Sequence, residues 1–61
     1  MELQFIRKMA GFSQSEVARA AGFSRGKLSL AERGFAKLSD AEKAKIADFF
    51  QIDAERIQWP E

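Results

Sequence analysis

Gln14–Arg33 reads QSEVARAAGFSRGKLSLAER, and the spacing within it decides the fold. Val17, Ala18 and Ala21 recur at helical intervals before Gly22, and Leu28 and Ala31 recur after it. Together with Phe23 these residues fall where two crossing helices must touch, and the small Ala18 lets the second helix approach closely. Gly22 supplies the turn between them, because a positive φ is cheap only for glycine. The spacing predicts a helix-turn-helix.

Working outward, Ser13-Gln-Ser-Glu16 forms a capping box that starts the first of these helices, which runs to about Ala21. Ser24 caps the second, which continues to Glu32 or Arg33 and stops at Gly34. Upstream, Leu3, Ile6 and Met9 repeat at helical spacing over Glu2–Ala10, and Gly11 ends that segment. Downstream, Phe35–Leu38 is a loop, and Ser39-Asp-Ala-Glu42 opens another capped helix, with Asp40 and Glu42 favouring its positive end. Ile46, Phe49 and Phe50 give that helix an apolar face. Asp53 is read as the cap of a last short helix containing Ile57, with Trp59 and Pro60 beyond it. The expectation is all-α: a compact bundle of five short helices, with the six phenylalanines and the tryptophan assigned to its core.

The totals narrow the function. Residues 1–61 are read as a single domain, since a chain of 61 residues buries too little surface for two cores. Cysteine and histidine are both absent, which removes disulfides, thiolate metal sites and the commonest general acid/base. Serines have no plausible activating base, so no enzyme, cofactor or metal centre is expected. Apolar runs are too short for a membrane span or a signal peptide, which makes a cytoplasmic protein the default. The net charge of +1 hides an asymmetry. Residues 1–38 carry seven bases (Arg7, Lys8, Arg19, Arg25, Lys27, Arg33, Lys37) against Glu2, Glu16 and Glu32, a balance of +4. Residues 39–61 carry three bases against six acids, a balance of −3. A basic front and an acidic back is an electrostatic footprint for a polyanion.

IRKMAGFSQSEVARAAGFSRGKLSLAERG and LSDAEKAKIADFFQID together cover residues 6 to 53 and resemble the lambda-repressor-like (XRE, Cro/C1-type) helix-turn-helix regulators. The matching positions are Arg7, Gly11-Phe12-Ser13-Gln14, Gly22, Leu28 and Glu32-Arg33-Gly34. The resemblance implies a domain that binds double-stranded DNA as a dimer, with the helix from Ser24 to Arg33 in the major groove. It assigns Gln14 to a backbone phosphate and makes Arg7 and Glu32 an ion pair between the first and third helices.

With Leu28 and Ala31 facing the core, Arg25, Gly26, Ser29, Leu30 and Arg33 form the opposite surface. Arg25 is the candidate base reader, since a guanidinium bonds guanine O6 and N7 together. Lys27 and Arg33 are read as phosphate clamps, Ser24 as a cap that also reaches a phosphate, and Ser29 as a contact to a base edge or phosphate. Gly26 and Leu30 depart from the family pattern, which commonly places polar base-contacting side chains there. Gly26 permits close backbone approach to DNA, and Leu30 offers a surface for a thymine methyl. Together with Phe35 they also suit a second reading, a protein-interaction module of antitoxin or anti-repressor type that kept the fold without operator reading. Dimer contacts are expected from the C-terminal region, where Phe50, Ile52, Ile57 and Trp59 are candidates and Trp59 leads. The small net charge disfavours a nonspecific nucleic-acid binder.

Overall fold

In the computed structural model, which describes residues 2–60, local signals set most of the α-helix boundaries. The order is α1 (Leu3–Ala10), α2 (Gln14–Ala21), α3 (Arg25–Glu32) and α4 (Asp40–Phe50), then a 3-10 turn at Ala54–Arg56. Ser13, Ser24 and Ser39 each accept a hydrogen bond from the backbone N–H three residues on, at Glu16, Lys27 and Glu42. At Ser13 and Ser39 the glutamate side chain returns the bond, closing both expected capping boxes.

All four helices end in the same backbone hydrogen-bond pattern. The N–H groups of Phe12, Phe23, Phe35 and Ile52 donate back to the carbonyls of Arg7, Ala18, Leu30 and Ala47. The residue just before each donor has a positive φ: Gly11, Gly22 and Gly34 in the first three cases, and Gln51 at 56° in the fourth. Gln51 lacks the freedom of glycine, so this last stop carries a backbone cost that the burial of α4 and Ile52 offsets.

The fifth helix expected from the sequence is only a 3-10 turn, and two details correct that reading. Asp53 makes no side-chain cap bond, and Ile57 lies beyond the turn in extended backbone. Extension lets Ile57 enter the core at 4 % exposure and brings Gln58 into a parallel bridge with Glu2. A continued helix would lose both contacts.

The core is aliphatic, which corrects the assignment of the aromatics. Leu3, Val17, Leu28 and Ile46 are its largest fully buried side chains, and no phenylalanine is buried. α2 packs on α3 and α4 through Ala18, Ala21 and Ala31, and helices this close leave no interior space for rings. Phe12, Phe23, Phe50 and Trp59 instead rim the aliphatic centre, and Phe12, Phe49 and Phe50 stack edge to face with centroids 4.8–6.0 Å apart. On α1 the inner face is Leu3, Ile6 and Arg7, while Met9, expected inward, is exposed. Leu38, read as a loop residue, also joins the core. The outcome is an α3 whose inner side is held from three directions.

Candidate nucleic-acid interface

The inner side of α3 presents Leu28, Ala31 and Glu32, all buried. Leu28 and Ala31 meet α2 and the aliphatic core, as their spacing requires. Glu32 meets Arg7 of α1 in a two-pronged ion pair. Arg7 Nε donates to Oε2 at 2.7 Å and Nη2 to Oε1 at 3.2 Å. Arg7 Nη1 also donates to the Phe12 carbonyl at 2.9 Å, tying the end of α1 to the same centre. Both side chains are almost fully removed from solvent, so each charge depends on the other.

Gln14 belongs to this centre. Its amide nitrogen donates to Glu32 Oε1 at 2.9 Å, so the half-buried side chain expected at a DNA phosphate also bonds within the chain. The bond has a simple cause: Glu32 has acceptor capacity left after Arg7, and Gln14, in the first turn of α2, lies within reach of it. Gln14 thereby links α2 to the end of α3 and helps to position that helix.

The outer side of α3 contrasts with this. Gly26, Leu30 and Arg33 follow one another at intervals of four and three residues, form one stripe, and are all exposed. Arg25 and the half-buried Ser29 form the neighbouring stripe, with Arg25 exposed at the first helical position. Among the described residues, no hydrogen bond or ion pair holds the Arg25 guanidinium. Arg33 lies along the helix end, with Nε 3.4 Å from the Ser29 carbonyl and its guanidinium 5.7 Å from the Phe35 ring centre. Ser24 caps the helix by accepting from the Lys27 N–H, which engages its hydroxyl oxygen.

Lys27 does not share this surface. It sits about two residue steps of 100° from Arg25, on the opposite shoulder of the helix. Its ammonium bonds Glu42 of α4 at 2.5 Å and lies 5.4 Å from the centre of the Phe23 ring. The phosphate clamp expected at Lys27 is therefore engaged within the chain. Its partner Glu42 carries no sequence signal for this role, because a pairing across 15 positions depends on how α4 crosses α3. The Lys27 side-chain hydrogen bond, followed by the Ser39 backbone N–H, holds the Glu42 carboxyl below its ordinary value. Glu16 is lowered in the same direction, first by the Ser13 backbone N–H of its capping box.

The C-terminal candidates for a dimer contact divide. Ile57 is committed to the chain's own core and has no side chain to offer a second copy. Trp59 is half-buried, with its ring N–H donating to the Ala54 carbonyl at 3.0 Å and the Lys43 ammonium 5.8 Å from its centre. It lines a cavity of about 110 Å³ together with Lys37, Leu38, Lys43 and Pro60.

This arrangement, a short helix braced against a second across a glycine turn and open on its far side, defines a helix-turn-helix. A family model described as a helix-turn-helix domain matches residues 1–59, and the chain belongs to that family. No curated relative and no solved structure gives a match. Among the described residues no helix is long and apolar enough to cross a membrane.

Proposed function

We infer that this chain is a sequence-specific transcriptional regulator of the lambda-repressor-like (XRE, Cro/C1) type that binds duplex DNA in the cytoplasm. It acts by occupying an operator and carries out no catalysis. One observation carries the reading: α3 is locked on its inner side by Leu28, Ala31 and Glu32, yet its outer stripe of Gly26, Leu30 and Arg33 stays exposed beside Arg25. A helix fixed in that way fits the major groove, whose width of about 12 Å admits one helix. Arg25 reads a guanine edge, Arg33 bonds phosphate, and Gln14 acts indirectly by fixing Glu32 and with it the pitch of α3. Ser24 and the half-buried Ser29, near Arg25 in the helix, would bond the DNA backbone. Two copies of the chain would set their α3 helices about 34 Å apart, one turn of B-DNA.

The exposed pair Leu30 and Phe35 supports a second reading, a protein-interaction module on the same fold. Binding to a random duplex pool, followed by fluorescence anisotropy with excess competitor DNA, separates the two. A regulator enriches particular sequences, resists competitor and weakens with salt. In that case Arg25→Ala flattens the sequence preference. A protein-interaction module enriches none.

A further inference from the structure

Leu30 occupies the middle of the outer stripe of α3 and is 42 % exposed. The position one turn before it, Gly26, carries no side chain, and the nearest heavy atom to a Cβ placed there is Ser24 Oγ at 4.0 Å. The surface therefore has an empty step followed by an isobutyl group. Phe35, five residues on, is 77 % exposed, and its N–H donates to the Leu30 carbonyl at 2.8 Å, which ties the two backbones together. Arg33 lies on the same stripe and Arg25 on the neighbouring one, and the nearby carboxylates are already engaged. Glu32 is bonded to Arg7 and Gln14, and Glu42 to Lys27.

An apolar group on a face that also carries two exposed arginines matches a surface that offers a methyl among negative charges. In the major groove only thymine presents one, at C5. An apolar protein partner would use Leu30 and Phe35 and have no need of the arginines beside them. The geometry points to Leu30 as the residue that selects thymine by its methyl, with Gly26 giving the clearance that lets α3 come close enough. This assignment rests on the duplex-DNA reading above and names the base that reading leaves open.

The test uses the whole chain and the duplexes it enriches from a random pool. Each selected thymine is replaced singly by deoxyuridine, which lacks only the methyl. At one thymine in each half-site the replacement weakens binding by about three- to five-fold, the worth of one buried methyl. Leu30→Ala, at an exposed position that leaves the fold intact, then binds the thymine and deoxyuridine duplexes alike. The assignment is overturned if no thymine is enriched, if every deoxyuridine duplex binds as tightly as its parent, or if Leu30→Ala keeps the discrimination. Those results leave the regulator reading standing. A pool from which nothing is enriched overturns both. The deoxyuridine comparison on the unaltered chain needs no variant, so the stability of Leu30→Ala cannot blur it.

Discussion

The two sides of α3 share eight residues of backbone and differ in almost everything else. On the inner side a carboxylate takes three donor groups from two other helices, and apolar neighbours exclude water around it. On the outer side an arginine, a glycine and a leucine face solvent, and a second arginine folds back over the helix end. The contrast teaches a division of labour. The inner side holds the helix at one pitch and register against the scaffold, and the outer side is left unconstrained enough to meet a partner. A charged residue serves both ends, buried as Glu32 and exposed as Arg25, and its surroundings decide which task it performs.

Breaking the inner side has the largest expected effect. Glu32→Ala leaves the Arg7 guanidinium buried without its counter-charge, at a cost of about 3–5 kcal/mol. A disulfide-free chain of this size rarely has more stability than that, so denaturant titration is expected to find the variant largely unfolded. A variant that melts within a few degrees of the parent would show that the pair is dispensable.

Arg25→Ala breaks the outer side instead. Folding stability is expected to stay within about 0.5 kcal/mol, because the side chain is exposed. Binding to the selected duplex is expected to weaken by about 1–3 kcal/mol, with relaxed preference at one base pair. Anisotropy and a thermal melt on the same sample measure both. Equal losses in the two would erase the contrast between the sides.

Gly26→Ala sets stability against binding at one residue. A methyl group fits there without a clash, and alanine is a better helix former by about 1 kcal/mol. The melt is therefore expected to rise while duplex affinity falls. A rise in both would mean that the empty step at Gly26 has no role in approach.

The smallest expected effect lies at the shoulder between the sides, where Lys27 meets Glu42. Glu42 has a folded-state pKa below its unfolded value, so protons bind the unfolded chain more tightly. The pair's stabilisation is present at neutral pH and is lost as pH falls through that lowered pKa, below the ordinary value of 4.5. Denaturation midpoints taken from neutral pH to about pH 3 are expected to fall less in Lys27→Ala than in the parent. Parallel curves would remove the pair from the account.

The sequence shows its helix boundaries because caps and glycine stops act within four residues of themselves. Ser13, Ser24 and Ser39 start helices, and Gly11, Gly22 and Gly34 end them, as their local chemistry requires. The stop at Gln51 has no such signal, since glutamine adopts a positive φ only when the surrounding packing imposes it. The burial of Leu28 and Ala31 follows from periodicity, and that leaves Gly26, Leu30 and Arg33 outward. The bond from Gln14 to Glu32 and the engagement of Lys27 by Glu42 depend on how whole helices cross, which spacing along one chain does not encode. The aromatics mislead for a related reason: hydrophobic size suggests the centre, but helices joined through alanines close the centre to rings.

An amide NMR titration of the chain with its selected duplex addresses the whole account at once. The largest shifts are expected along residues 25–34, with Phe5 and Met9 of α1, though exposed and apolar, scarcely moving. If the shifts gather on α1 or around Trp59 while Arg25, Gly26 and Leu30 stay still, this helix does not meet the partner and the account is wrong.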